Sequence, residues 1–540
     1  MPLSCSALSS PSALTVLVIR TSGVMQLSAS SRALISTRLT SSTTRPLLTV
    51  RSRLLSRSSG SERARAYSTN VESSARASRN LPLAALLLAG GVSLGYYLAT
   101  IRSDRAVTQN RARSDLNSTY GSPDDFAKAI DELRSTFPHE GAVTTDPEDL
   151  EVHGFSENDY HPSSHPSVVV FPSSTDDVVK IVKIAVKYKM PVIPYSGATS
   201  LEGHFRAPTV GGICVDLSQM DKIIEIHEAD SDVVCQPGLR WMDLNEHLQK
   251  KGIPLFFPLD PAPGATIGGM LSTGCSGIVV TIRLAPVLPT NVAVVQFPDV
   301  RSATEAVIEV VNSGVGIQCV ELCDDQFMRA TNAYGMSTRK WPEKDSLFFK
   351  FQGPTPRSLQ ETADIVKKIT AKHGGTGFSL ARNDKEAHDL WMDRKNALYS
   401  SLAILPGARG WSTDVCVPIS RLPDLVYGTK KDLEEHGLVS TIVGHVGDGN
   451  FHALLLFRNE EELEAAHAAV DRMVKRAIAL DGTCTGEHGV GIGKRAYLYE
   501  ELGEGTVELM KTIKKAIDPL NLFNPGKLYP DKPDTSKKDH

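Results

Sequence analysis

Two runs of small residues constrain this chain more than anything else in it: Pro194-Tyr-Ser-Gly-Ala-Thr-Ser-Leu-Glu-Gly-His204 and Pro263-Gly-Ala-Thr-Ile-Gly-Gly-Met-Leu-Ser-Thr-Gly-Cys-Ser-Gly277. Residues this small leave backbone N–H groups uncovered, and successive amides in a turn make a seat for an anion. The first run also has a defined approach. Val168–Phe171 is a short β-branched strand, Val178, Val179, Val182 and Val186 recur at helical spacing within Ser173–Lys189, and Val192–Pro194 reads as the next strand. A β-α-β unit therefore opens directly onto the loop. Either loop alone reads more simply as a tight connection. Two of them, separated by Cys235-Gln-Pro-Gly238, are a far more specific signal of a ligand cradle.

The N-terminal segment differs in kind. Met1–Gly60 holds no Asp or Glu, while Arg20, Arg32, Arg38, Arg45, Arg51, Arg53 and Arg57 are spread through Ser- and Thr-rich sequence. That is the composition of a mitochondrial transit peptide, read here as residues 1–62. A disordered tail is the plainer alternative, although such tails usually carry both signs of charge. Leu81–Ile101 is uncharged and of a length that spans a bilayer core as a helix. Arg76, Arg79, Arg102 and Arg105 flank it, with Tyr96 and Tyr97 near one end as interfacial anchors; a buried core helix is the alternative. Residues 103–122 are polar and read as a linker. The expected residence is the mitochondrial inner membrane, with the catalytic part in the intermembrane space. Positive charge on both flanks leaves the orientation open.

Size and charge narrow the rest. A chain of 540 residues is expected to build two or three cores. A net charge of -4, with no basic and aromatic stripe, gives no reason to expect a nucleic-acid partner. The 8 cysteines form no CxxC pair and no CxxCH run, so neither a zinc ribbon nor a c-type haem is indicated.

Two later segments carry chemistry. Val439–Phe457 reads as two strands around a GDGN turn, with His445 and His452 almost symmetric about it. Facing each other across the ladder, both imidazoles could hold one cation, although a His pair near a turn is more often structural. Thr483–Lys494 places Glu487 and His488 in a Gly-rich turn. Two His and one Glu leave a coordination position open, as in a metal that acts on substrate. Glu487 could equally be a surface carboxylate and His488 a solvated side chain. Asp384–Tyr399 is helical in pattern.

The strand, the YSGATSLEGH loop, the QPG turn and the PGATIGGMLSTGCSG loop resemble the FAD-binding domain of the vanillyl-alcohol oxidase type of flavoprotein, from about Glu140 onward. The resemblance implies an α+β fold: a two-subdomain FAD-binding domain at 140–288, a ferredoxin-like cap at 289–480, and a segment at 481–530 that returns to FAD. It implies FAD contacts at Ser196, Gly197, Ala198, Thr199, Ser200, Gly268, Gly269, Thr273, Gly274, Ser276 and Asn524, with the flavin held non-covalently. In the D-lactate and D-2-hydroxyglutarate dehydrogenase branch, matching HxxxxxxH and GEHG residues form the site. By that resemblance His445, His452 and Glu487 bind zinc or manganese, His488 is the base, and Arg394 in WMDRKNALYS binds a carboxylate. The implied activity is FAD-dependent oxidation of a small D-2-hydroxy acid, D-lactate first, with cytochrome c as acceptor. D-2-hydroxyglutarate and glycolate are alternatives, and Leu454, where dicarboxylate-oxidising relatives tend to place Asn, favours a monocarboxylate.

The chain departs from the family at one point. Gly277 runs straight into Ile278-Val-Val-Thr-Ile-Arg-Leu-Ala-Pro286, whereas the family has several strands before the matching strand. Loss of those strands is expected to expose apolar edges and to weaken FAD binding, so an inactive, truncated flavoprotein is a further alternative.

Overall fold

Val168–Val170 is buried at every position, as a strand covered on both faces requires. In the computed structural model, which describes residues 119–156, 159–272 and 280–531, this run is β2 of a four-stranded sheet. Its neighbours are β1 (Val143–Thr144), β3 (Val192–Tyr195) and β4 (Ile213–Asp216), in the order β1-β2-β4-β3. The helix Thr175–Tyr188 crosses from β2 to β3. Ser174 caps it by accepting from the Asp177 amide, and Asp176 and Asp177 sit at the positive end of its dipole. Ile181, Ile184 and Ala185 turn inward to pack with Val168, Val170, Ile213 and Val215. The expected β-α-β unit is there with β4 inserted, parallel to β2 and β3 alike. Residues near the C-terminus close this layer: the Val192 amide donates to Leu522 O, and the Asn524 amide to Val192 O, each at 2.8 Å.

The second layer is small. β5 (Ile223–His227) and β6 (Asp232–Cys235) are followed by β7 (Leu255–Phe256), β8 (Val280–Arg283) and β9 (Ala285–Pro286). β5-β6-β8 form one sheet and β7-β9 a two-stranded ribbon. The helix Trp241–Lys250 supplies Leu244 and Leu248 to a core with Val233, Cys235 and Ile282. Around this layer Ile224, Met242, Leu259 and Val287 are exposed. The second small-residue run is not wholly a loop, because Ile267–Ser272 is helical.

The third layer is one antiparallel sheet covered on both sides. Its strands are β10 (Thr290–Gln296), β11 (Ile317–Cys323), β12 (Ser346–Gln352), β13 (Thr376–Leu380), β14 (Arg409–Ser412), β15 (Val415–Cys416), β16 (Ser440–Gly444) and β17 (Asn450–Phe457). The order is β13-β10-β12-β11-β16-β17-β14, with β15 also on β17. Alternation along β10 divides the two faces: Ala293 and Val295 join the helices Val300–Asn312 and Pro356–Lys372, while Val292 and Val294 join Phe327 and Leu390. β17 is buried along its whole length, against the helix Glu460–Ala479 among others.

The two strands expected around GDGN pair as β16 and β17, joined by a longer connection than a two-residue turn. Val446–Asp448 makes a 3-10 turn, and Gly449 takes φ 80°. A Cβ there would lie 2.1 Å from Val417 O, so packing against the chain after β15 selects this longer connection. Val443, not His445, pairs with His452, and His445 sits beyond the end of the ladder.

The transit peptide, the Leu81–Ile101 segment, most of the linker and the Gly277–Ile278 junction lie outside the described residues, as do Thr273, Gly274 and Ser276. Among the described residues no helix is long and apolar enough to cross a membrane.

Candidate active site

Strand register brings the chemistry together. Leu322 of β11 pairs with Gly444 of β16, so the next residues outward, Glu321 and His445, become neighbours. Phe451 of β17 pairs with Val415 of β15, which sets His452 beside Asp414. A bridge from Cys416 to Thr483 then lays the Glu487-His488 turn across the same end of the sheet.

His445 Nε2 lies 3.2 Å and His452 Nε2 3.1 Å from the same Glu487 oxygen, Oε1. The other nitrogen of each ring is held from behind: His445 Nδ1 lies 2.8 Å from Glu321 Oε1, and His452 Nδ1 2.9 Å from Thr413 O. An imidazole bonded through Nδ1–H to an oxygen presents the Nε2 lone pair forward, the usual second layer of a metal site. The field around Nε2 is negative. Burial opposes charge on His445, yet Glu321 and then Glu487 outweigh it and push its pKa up to about 10. Burial likewise opposes the Glu487 carboxylate, but the two imidazoles hold it well below the usual range.

A second triad, Asp414, His452 and His488, also has its potential ligand atoms close together. It is the poorer seat. Asp414 Oδ2 already accepts from Thr485 Oγ1 and from the amides of Gly486, Glu487 and His488, and Oδ1 accepts from Asn450 Nδ2. Oδ2 is thus fully engaged by four donors and is not free for a cation. His488 instead stacks on His452, with ring centroids 4.9 Å apart, and its Nδ1 is enclosed without a hydrogen-bond partner. Burial pushes its pKa down to about 3 against the pull of Asp414, leaving a neutral ring.

The first small-residue loop fits an anionic cofactor. Ser196, Gly197, Ala198 and Ser200 are half-buried and Thr199 is exposed, and among the described residues their amides donate to no backbone carbonyl. Ala198 takes φ 51°, the kind of reversal that gathers successive N–H groups. Ser196 Oγ lies 2.9 Å from Thr266 Oγ1, tying the two loops together. Asn524 Nδ2 donates to His204 O at 2.9 Å, while its Oδ1 is buried and unpartnered, aimed at a group the protein does not supply. Gly268 and Gly269 are placed differently. Gly268 N donates to Pro237 O and Gly269 N to Thr266 Oγ1, so their amides are already engaged. A Cβ on Gly268 would lie 2.4 Å from Pro237 Cβ, which makes this glycine a packing requirement.

Residues 166–284 match the model of the FAD binding domain, and residues 289–528 that of the FAD linked oxidases, C-terminal domain. The D-lactate dehydrogenase [cytochrome], mitochondrial, of Arabidopsis thaliana is 39% identical over 450 residues, covering 72% of this chain and 78% of that protein. Its Saccharomyces cerevisiae counterpart is 37% identical over 480 residues, covering 76% and 81%. The chain belongs to the FAD-linked oxidase family. Among solved structures, p-cresol methylhydroxylase superposes with TM-score 0.61 at 15% identity, covering 76% of this chain and 98% of that one. A 4-ethylphenol oxidase from Gulosibacter chungangensis gives 0.62 at 17%, covering 76% and 99%. These carry the flavoprotein fold of the vanillyl-alcohol oxidase type.

In this FAD-linked oxidase Arg394 is buried, with Nε and Nη2 at 3.1 and 2.7 Å from Glu321 Oε2. The structure thus places it behind His445, holding the carboxylate that holds the imidazole. Sequence reasoning missed Glu321, Asp414, Lys494 and Glu202. Glu321 and Asp414 sit in or beside strands where buried carboxylates are costly unless paired, and that cost is the only signal the sequence carried.

Proposed function

We propose that the protein oxidises D-lactate to pyruvate with non-covalently bound FAD, passes the electrons to a cytochrome, and uses a divalent cation held by His445, His452 and Glu487. The observation that supports this most is the convergence of two Nε2 atoms on one Glu487 oxygen, with both Nδ1 atoms held from behind. Oxidation of a 2-hydroxy acid removes a proton from the hydroxyl and a hydride from the same carbon, and the free alcohol is too weak an acid to ionise near neutral pH. A bound cation supplies Lewis acidity toward the hydroxyl and carboxylate oxygens. Bound FAD supplies the hydride acceptor.

The chain's own residues do the rest. His445 and His452 would each offer an imidazole Nε2, the cation displacing the proton that His445 otherwise carries, and Glu487 a carboxylate, a donor set that suits zinc and is open to manganese. His488 takes the hydroxyl proton; with Nδ1 enclosed, Nε2 is the nitrogen left to meet substrate. Arg394 and Glu321 keep His445 in the required tautomer. Ser196–Ser200, Thr273, Gly274, Ser276 and Asn524 would hold FAD, with Gly268 and Gly269 packing the second loop against Pro237 and Thr266. Relatives named for D-lactate, cytochrome and mitochondria support the substrate, the acceptor and the compartment. Leu454, two residues after His452, favours a monocarboxylate. An anchor at Leu81–Ile101 in the inner membrane completes the reading, and alkaline carbonate extraction of mitochondria tests it: release into the soluble fraction would remove the anchor.

A second reading has its own support. The Arabidopsis alignment runs over 450 residues yet uses 72% of the 540 here, so it contains many positions that the relative has and this chain lacks. A form without flavin, keeping the metal seat, follows if those positions fall at Gly277–Ile278. The visible absorbance of the purified protein separates the two readings. A flavin spectrum bleached anaerobically by D-lactate and not by L-lactate supports the enzyme; a colourless protein that binds metal supports the remnant.

A further inference from the structure

Three buried charged residues join the turn that carries Glu487 and His488 to the loop that fits FAD. Asp414, 0% exposed, draws in the backbone of that turn: Thr485 Oγ1 and the Gly486, Glu487 and His488 amides all donate to Oδ2, at 2.7 to 2.9 Å. Lys494 holds the far end of the same segment. Its Nζ donates to Asp414 O at 2.8 Å and lies 3.3 Å from Asp414 Oδ2 and 3.4 Å from Glu202 Oε1. Glu202 belongs to the first small-residue run and is 1% exposed.

The segment is shaped to Glu202. The Ile492 amide donates to Glu202 O at 2.8 Å. A Cβ on Gly491 would lie 2.0 Å from Glu202 O, and one on Gly493 2.2 Å from Glu202 Oε2. Gly486 is equally confined, by Asn450 Nδ2 at 1.9 Å. Gly486, Gly491 and Gly493 of GEHGVGIGK are therefore required by close approach to Asn450, the partner of Asp414, and to Glu202. Yet neither Glu202 oxygen has a hydrogen-bond partner among the described residues. Burying a carboxylate with a single ion pair is costly, and folding alone gives no reason to keep it.

We propose that Asp414, Lys494 and Glu202 are positioning residues for the metal seat: Asp414 sets the peptide of 485–488 so that Glu487 Oε1 reaches both imidazoles, and the Lys494–Glu202 pair ties that setting to the flavin loop. The proposal rests on reading His445, His452 and Glu487 as metal ligands.

The test is Mn2+ titration of the purified full chain, with free ion read by its electron paramagnetic resonance signal and Zn2+ as competitor. Both Asp414 oxygens accept, so the amide of Asp414→Asn cannot serve both sides, and its Mn2+ affinity is expected to fall about ten- to a hundredfold. Glu202→Gln removes charge and no hydrogen bond; a loss of several-fold is expected, with the melting temperature little changed. Lower melting temperatures with Mn2+ affinity intact in both variants would make these residues merely structural and overturn the proposal. Should Asp414→Asn fail to fold, Glu202→Gln decides alone, and unchanged affinity there overturns it. A wild-type chain that binds neither Mn2+ nor Zn2+ would instead remove the metal reading itself.

Discussion

Glu321 Oε1 and His445 Nδ1 are 2.8 Å apart although 124 residues separate them. The pairing of β11 with β16 makes them neighbours, and the contact decides which nitrogen of His445 faces forward. Glu321→Gln keeps the shape but loses the charge and can present a donor in place of an acceptor. Metal affinity, measured by equilibrium dialysis, is expected to fall about ten- to a hundredfold, as for other outer-layer partners of a ligating imidazole. Unchanged affinity would mean that Glu321 does not orient the ring.

Arg394 stands one step further back. Arg394→Met leaves Glu321 buried without its cation, and breaking such a pair costs about 3–5 kcal/mol. Denaturant unfolding is expected to show that loss, with weaker metal binding alongside. A raised KM for D-lactate with stability and metal unaffected would return Arg394 to the role of carboxylate binder.

How much of this was legible in the sequence differs by element. The helix Thr175–Tyr188 is where helical spacing of valines put it, but Val179 and Val186 are exposed, and Ile181, Ile184 and Ala185 face the core instead. His445, His452 and Glu487 were found as residue types near turns, and the structure brings them to one point. Their supports were not found: Glu321 and Asp414 act through strand register, which depends on pairings between segments far apart in the chain. The hairpin around GDGN is present as read, β16 pairing with β17, while the close approach of Gly449 to Val417 O in its turn is invisible to local pattern. Glu321 beside Arg394 was equally invisible, because nothing local in WMDRKNALYS reveals a partner 73 residues away.

Lys527 gives a pH test. Burial, with a smaller push from Arg495, lowers its pKa to about 7, against an ordinary 10.5. Below pH 7 both folded and unfolded chains hold the proton, and the folded state bears the full cost of a buried ammonium. Between 7 and 10.5 the unfolded chain binds more protons, so this contribution to stability improves as pH rises. In the flavin-free protein Lys527→Met is expected to raise the melting temperature at pH 6, with the gain shrinking toward pH 10.5. A gain that grew with pH would contradict the assignment.

Length restored across Gly277–Ile278 from a relative is expected to raise bound flavin to one per chain, read from the ratio of visible to protein absorbance. Stoichiometric flavin in the chain as it stands would show that flavin binding needs no added length there.

Metal content measured beside flavin reduction, in a flavin-loaded form, tests most directly the proposed division of labour in which His445 and His452 hold a metal while His488 moves a proton. His445→Ala and His452→Ala are predicted to lose the metal and to reduce flavin with D-lactate hardly at all. His488→Ala is predicted to keep metal and flavin and to slow reduction roughly a hundred- to ten-thousandfold, the range for losing a general base. Loss of metal from the His488 variant with metal retained in the His445 variant would reverse the roles, and normal flavin reduction in all three would place the site elsewhere.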